Sequence, residues 1–402
     1  MDSPAQPDIP VVRLRQNRDK RARSGHPWVF SNEVADDVKS LPRGGTVDVV
    51  DHRGAFLGRG YANPNSLICV RLLSRTRTDV DHPSFYAERL RSALGFRQAM
   101  FPDRHSLRLV HAEGDGLPGL VIDRYGDYLA VQLTTLGMEH RRAVLEEAIK
   151  AVFEPAGAVF RSQGRARSLE GLDDEVSVWF GEPPDHVDID ENGVTFRVPL
   201  LAGQKTGHFF DQATNRRFAR ELCVGRTVLD VYSNTGGWAL HALHAGATHA
   251  IAVDKSEHCC HAMLDNAELN LFHDKFEAWQ GEGRKVLQTL VDENRRFGCV
   301  VLDPPAFAKQ RKAANSALRG YRDINTLGMT LVEPGGFLFT SSCSYHVEED
   351  RFVAELQAAA RKARRRLRLV RRGEQAADHP VRPEIPETRY LKSYAMQVLV
   401  EV

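Results

Sequence analysis

Residues 228–254 read VLDVYSNTGGWALHALHAGATHAIAVD. An apolar run closes on Asp230 and opens into the small, turn-prone Ser233, Asn234, Thr235, Gly236 and Gly237. A helical pattern then leads to a second apolar run that closes on Asp254. Strand, turn, helix and strand make a βαβ unit, and such units bind ligands outside the carboxyl ends of their strands. Glycines at the turn let bare backbone approach a ligand, and an acid ending the second strand is placed to take both hydroxyls of a ribose. The pattern predicts a nucleotide-type site, with a merely structural α/β turn as the alternative. The glycines do not follow GxGxxG, which disfavours a nicotinamide dinucleotide.

Downstream, the apolar run 300–302 stops at Asp303-Pro304-Pro305, and a strand at 337–341 runs into Ser342-Cys343-Ser344. Helical patterns at 257–269, 284–294 and 321–331 alternate with these strands, a basic polar loop running to Arg319, and further strands fall near 367–370 and 394–400. That alternation predicts a doubly wound α/β domain with the strand ends at Asp230, Asp303 and Cys343 facing one crevice, on which Asp254 also bears. Upstream, 187–199 alternates around Glu191-Asn192-Gly193, a hairpin signal, and Lys205-Thr206 resembles the end of a phosphate loop but lacks its upstream glycine. Residues 78–185 predict an α+β module in the order strand-strand-helix-strand-strand, its polar segment 161–167 a mobile basic loop near a substrate or a plain surface loop. Short runs between 11 and 73 predict a small β domain of barrel or sandwich type, with Trp28 as core or as a base-stacking platform. Residues 1–10 are Pro-rich and are expected to be disordered.

A chain of 402 residues has room for two or three domains with real cores. No apolar run approaches the length that spans a bilayer and no signal-peptide pattern opens the chain, so a cytoplasmic protein is expected. The cysteines at 69, 223, 259, 260, 299 and 343 lack CxxC spacing, which supports neither a disulfide scaffold nor a zinc cluster. A net charge of +1 hides two basic clusters: Arg13, Arg15, Arg18, Lys20, Arg21 and Arg23, then Arg361, Lys362, Arg364, Arg365, Arg366, Arg368, Arg371 and Arg372. Each reads either as a polyanion-binding patch or as a solvated face.

Several motifs occur together and in one order: SGHPWVFSN (24–32), GQKTGHFFDQ (203–212), VLDVYSNTGGWA (228–239), VLDPPAF (301–307), SSCS (341–344), QAADHPV (375–381) and PETRYLK (386–392). In this the chain resembles, over essentially its whole length, the bacterial large-subunit ribosomal RNA cytosine C5-methyltransferases. The resemblance implies a PUA-like RNA-binding β-barrel domain at 1–75, the α+β domain at 78–185, and a Rossmann-like class I methyltransferase domain at 190–402 that includes the linking hairpin. The implied cofactor is S-adenosylmethionine. It would lie against Lys205, Thr206, Gly207, Asp230, Tyr232, Ser233, Asn234, Gly236, Gly237, Asp254 on the ribose, Lys255, Glu282 and Asp303. Pro304, Pro305, Phe307, Arg319, Tyr321 and His379 are the implied substrate contacts, with Arg322 beside them; Arg319, Tyr321 and Arg322 would touch the RNA backbone, and His379 is equally a turn-packing histidine. The implied partner is 23S rRNA or a large-subunit assembly intermediate, with no metal and no membrane, and a homodimer is allowed. The chain departs from the family pattern at Tyr232, Asn234 and Trp238 on the cofactor wall, at Glu282 where an Asp is common, and at Ala306 where a Lys is frequent.

The implied chemistry requires these residue types. Cytosine C5 is a poor nucleophile until a thiolate adds at C6, which is covalent catalysis and needs a thiol at a ligand-facing strand end. The resemblance makes Cys343 that nucleophile; the plain alternative is a small buried hydrophobe. DPPAF carries no cysteine, which points to a single-cysteine site. Asp303 is placed to take up charge at N3, with a raised pKa as the requirement, and the C5 proton acceptor is Asp303 or a water. The rival readings are a base methyltransferase acting at guanine N7, which needs no thiol, and a non-catalytic RNA-binding assembly factor.

Overall fold

The computed structural model describes residues 9–202, 207–308 and 310–400. Most of the expected disordered start, and Lys205 and Thr206, lie outside the described residues. The chain forms two compact units: Met1–Val187, Val198–His208 and Ala377–Thr388 make the first, and Asp188–Arg197, Phe209–Ala376 and Arg389–Val402 the second. No helix of the described residues is long and apolar enough to cross a membrane.

The first unit holds two five-stranded sheets. Strands β1 (Val11–Arg13), β2 (Trp28–Phe30), β3 (Thr46–Val50), β4 (Phe56–Ala62) and β5 (Ile68–Ser74) lie in the order β1-β3-β4-β5-β2. They close on Val12, Val29, Val47, Val49, Val70 and Leu72. Trp28 is half-buried and donates from Nε1 to Glu113 at 2.9 Å, so its ring edge is engaged within the fold. The second sheet has β6 (Ser106–His111), β7 (Leu120–Tyr125), β8 (Tyr128–Leu133), β9 (Gly157–Ser162) and β10 (Glu175–Gly181) in the order β10-β9-β8-β7-β6. Three strands precede its crossover helix, correcting the expected strand-strand-helix-strand-strand order. The crossover is needed because β8 and β9 are parallel. Helices Pro83–Met100 and Arg142–Phe153 pack there, burying Tyr86 and Leu90, and Leu145, Ile149 and Phe153, at four-residue spacing, with Phe85 beside them. The expected basic loop 161–167 is instead a strand end and the start of helix Arg165–Glu170. Arg167 is buried there, giving N–H bonds to the Leu133 carbonyl at 2.6 Å and to Glu139 at 2.7 Å.

Strands β11 (His186–Glu191) and β12 (Val194–Pro199) form the expected hairpin. Its turn residues Asn192 and Gly193 have φ of 54° and 85°, the left-handed pair that a tight two-residue hairpin turn requires.

The second unit is built on a seven-stranded sheet of β13 (Thr227–Val231), β14 (His249–Asp254), β15 (Phe276–Gln280), β16 (Phe297–Leu302), β17 (Val332–Ser342), β18 (Arg365–Gly373) and β19 (Lys392–Val400). The order is β15-β14-β13-β16-β17-β19-β18. The first five are parallel and β19 is antiparallel to both its neighbours. The order reverses at β13, whose neighbours are β14 and β16, and this switch point opens the crevice at the carboxyl ends. Val228, Leu229 and Val231 are buried because helices cover both faces of a parallel sheet, and each such side chain contributes about 1.5–3 kcal/mol. Two elements differ from the expected pattern. Strand β15 falls where no strand is expected, and the helix expected at 321–331 begins at Ala314, inside the expected basic loop.

Candidate active site

Strand β13 delivers Asp230 to the crevice fully buried. Its Oδ2 accepts from the Ser233 hydroxyl at 2.5 Å and from the Ala239 amide at 3.1 Å, at the start of helix Gly237–His244. Burial pushes the carboxyl up to about 7 against those two donors, which pull it down. Among the described residues Oδ1 meets no hydrogen-bond donor. A buried acceptor of this kind is costly to leave unmet, and a cationic ligand group would satisfy it. The turn that follows is wound left-handed, with φ of 70° at Tyr232, 55° at Asn234 and 88° at Gly236. Both Tyr232 and Asn234 bear side chains in a conformation that costs energy without a glycine, strain of the kind kept at ligand sites.

At the end of β14, Asp254 accepts from the Asn234 amide at 3.1 Å and from the Ser256 amide at 3.0 Å, one bond to each oxygen. Those bonds fix the carboxylate plane and leave lone pairs on both oxygens, the arrangement that takes a pair of vicinal hydroxyls. Lys255 follows, exposed. Glu282 is exposed and caps helix Gly283–Asp292, accepting from the Arg284 amide at 3.2 Å. Gly283 itself is packed so tightly on the Tyr232 ring that a Cβ would lie 2.7 Å from it. The residues thus fit a nucleoside ligand: an acid for the ribose, an aromatic wall and an acid deep in the turn. Replacing Asp254 with Ala is expected to weaken S-adenosylmethionine binding about ten- to a hundredfold, as loss of a charged hydrogen-bond partner does. Isothermal titration would show it, and unchanged affinity would remove Asp254 from the site.

Asp303, just beyond β16, is held by two side-chain donors. Gln212 Nε2 donates to both carboxylate oxygens at 3.0 Å and to Ser341 Oγ at 3.2 Å, and Trp238 Nε1 donates to Oδ2 at 3.2 Å. The Gln212 amide cannot turn over, because its oxygen accepts from Asn215 Nδ2 at 2.7 Å. Burial pushes Asp303 up to about 6; Trp238, Arg216 and Gln212 pull it down and Asp211 pushes it up. Trp238, expected as a wall of the cofactor pocket, therefore acts on the carboxylate.

Cys343 follows β17. All six cysteines are described; five are buried and Cys343 alone is half-exposed. Its Sγ lies 3.9 Å from the carbonyl of Pro304, so the DPP turn and the thiol meet. Pro304 is buried, Pro305 exposed and Phe307 half-buried, its ring 6.5 Å from Tyr232 and 4.6 Å from Tyr321. Tyr321, expected on the RNA backbone, is instead fully buried, and its hydroxyl bonds Ser344 Oγ at 2.9 Å. It supports the loop that bears Cys343. Arg319 is exposed, and Arg322 pairs with Glu355 at 2.5 Å.

Lys392, the last residue of PETRYLK, pairs across the sheet with Ser342. Buried, it donates to the carbonyls of Ser344 at 2.8 Å and Val347 at 2.9 Å. Burial lowers its pKa, while Cys343 and Glu349 raise it, and the bond to Ser344 seats the ammonium on the residue next to Cys343. Lys392→Met should cost roughly 1–3 kcal/mol of stability by leaving two carbonyls unmet. It should also slow alkylation of Cys343 by iodoacetamide at neutral pH, because a cation nearby favours the thiolate. A denaturation curve and an alkylation time course check both, and alkylation at the native rate would remove the electrostatic role.

Two expected residues lie in the first unit. Gly207 has φ of 128°, and a Cβ there would lie 2.7 Å from Val198. His379 is buried, bonded through Nδ1 to Asp378 at 2.8 Å with its ring 4.9 Å from that of His111. Asp378 in turn accepts from the Arg108 amide at 3.1 Å.

Residues 12–75 match the family described as PUA-like domain, and residues 107–393 match the S-adenosylmethionine-dependent methyltransferases. Ribosomal RNA large subunit methyltransferase I of Vibrio cholerae is 39% identical over 398 residues, covering 97% of this chain and 100% of that protein. The protein of the same name from Shigella boydii is 36% identical, covering 96% of this chain and 98% of its own. Among solved structures, a chain described as a SAM-dependent methyltransferase from Streptococcus mutans superposes with a TM-score of 0.84 at 18% identity, covering 97% of this chain and 100% of that one. That likeness concerns the fold.

Proposed function

The chain belongs to the S-adenosylmethionine-dependent methyltransferases, in the group of ribosomal RNA large subunit methyltransferase I, and from this we propose that it methylates C5 of a cytidine in 23S rRNA through a transient bond between Cys343 and C6. The observation that carries the reading is Cys343: the one half-exposed cysteine, at the carboxyl end of β17 and against the Pro304 carbonyl. The cofactor supplies an electrophilic methyl group. Asp230, Asp254 and the turn between Tyr232 and Gly236 would hold it.

The thiolate of Cys343 forms the bond to C6, and the displaced electron pair moves onto N3, where Asp303 delivers its proton. C5 is left electron-rich, which is what transfer needs. Afterwards the N3 proton returns to Asp303, a base removes the C5 proton and the sulfur–carbon bond breaks, returning the thiolate and the C5=C6 double bond. A base inside a duplex is out of reach of such a thiol, so the substrate cytidine is unpaired or flipped. A cytoplasmic place of action goes with this substrate.

Incubating the protein with large-subunit rRNA and a labelled methyl donor, then digesting to nucleosides, tests the proposal. Label in 5-methylcytidine is expected. Label in 7-methylguanosine would overturn it, since that target is nucleophilic without help and leaves the thiol idle.

A further inference from the structure

Eight of the twelve residues 361–372 are Arg or Lys and none is acidic, in a chain whose net charge is +1. The N-terminal basic cluster is partly neutralised within its own unit, Arg23 pairing with Asp19 and Asp51 and Arg21 with Glu387. The second cluster is neutralised at two of its eight cations. It occupies the end of helix Glu349–Lys362 and then β18, which lies at the open edge of the seven-stranded sheet. Lys362 pairs with Asp323, Arg372 with Glu349, and Arg371 stacks on Phe218. Among the described residues no carboxylate lies within ion-pair range of Arg361, Arg364, Arg366 or Arg368, and all four are exposed.

Geometry orders these charges. Leu367 packs on the core beneath the sheet, so Arg366 and Arg368, its neighbours in a pleated strand, stand on the opposite face. They are about 6.7 Å apart, a spacing close to that of successive phosphates along a nucleic-acid strand. Strand β18 runs in the same direction as β17, since β19 is antiparallel to both. Gly373 pairs with Ser393 and Lys392 with Ser342, which brings the end of β18 about 10 Å, two strand spacings, from the strand end that bears Cys343, while Arg368, level with Phe337 through Gln397, lies about 17 Å farther back along β18. Cations on an edge strand also prevent edge-to-edge pairing. No aromatic residue interrupts 361–372, so the strip is built for backbone phosphates rather than for stacked bases.

We infer that the exposed face of β18 that carries Arg366 and Arg368, with Arg364 just before the strand, is a phosphate track along which a single strand of the RNA substrate runs toward the catalytic crevice. The inference rests on the substrate being RNA. It is tested with fluorescein-labelled oligocytidylate RNA, binding being measured across a salt series for the full chain, for the triple variant R364Q/R366Q/R368Q, and for R295Q/R296Q as a control at exposed cations elsewhere. Removing three phosphate contacts should lower the slope of log affinity against log salt by about 2, and weaken binding roughly tenfold at moderate salt, with the control close to the native protein. S-adenosylmethionine affinity and thermal midpoint should be unchanged in both variants. An unchanged slope in the triple variant, or an equal loss in the control, would overturn the track. Failure of the native protein to methylate rRNA would instead overturn the proposed reaction, because the binding slope is read without turnover.

Discussion

Cys343→Ala is expected to lower methyl transfer to rRNA by on the order of 10⁴-fold or more, the scale on which removing a covalent nucleophile acts. S-adenosylmethionine affinity should stay within a factor of about two, because Cys343 hangs from β17 while the nucleoside-type contacts hang from β13 and β14, on the other side of β16. The fold should hold, since the side chain is half-exposed and the loop is pinned by Lys392 and Tyr321 rather than by the sulfur. A stronger form uses RNA carrying 5-fluorocytidine: fluorine cannot leave C5 as a proton does, so the adduct persists and the native protein should run as a denaturation-resistant RNA complex. The variant should give none. Full transfer by the variant would remove the thiol from the reaction and return guanine N7 as the target.

The parts of this site that could be read in the sequence are those whose physics is local. Strand β13 is apolar on both faces because helices cover it on both, so VLDV stands out as a strand and its end acid as a ligand group. The same holds for β14, β16 and β17. Strand β15 escaped because it lies at the sheet edge: Phe276 is buried while Glu277 and Gln280 are exposed, and FEAWQ carries no long apolar run. The helix at Ala314 escaped because its buried stripe begins with small residues, Ala314 and Ala317, in a basic context. Side chains whose role depends on a distant partner were hidden altogether. PETRYLK enters only as a motif and says nothing of where its lysine sits, yet Lys392 is buried against two carbonyls. Gln212 ends a motif before β13, and only folding sets its amide on Asp303. Tyr321 sits between Gly320 and Arg322 in a stretch that reads as RNA-facing, while the helix turns its ring inward onto Phe307 and Phe352.

Asp303→Asn should cost two to four orders of magnitude in kcat/KM, the range of general acid–base groups, and the pH profile identifies which protonation state matters. Asp303 in the free protein ionises near pH 6. If it must carry a proton to N3 while Cys343 must be a thiolate, the rate follows the product of the two fractions. Below about pH 6 Asp303 is already protonated, and the rate rises tenfold per unit as thiolate accumulates. Above about 6 each unit gains thiolate and loses protonated Asp303 in equal measure, so the profile is flat until the thiol is fully ionised, and then falls. In the variant, the Asn amide donates at every pH, so the break near 6 should vanish and the rate should climb until the thiol is ionised. A carboxylate acting only as a base predicts the opposite native profile, steeper below pH 6 and still rising above it. Gln212 is the internal control: Gln212→Leu takes the donor from both oxygens, which should raise the Asp303 pKa and move the native break above 6. A break that stays put in Gln212→Leu, or survives in Asp303→Asn, would belong to another group.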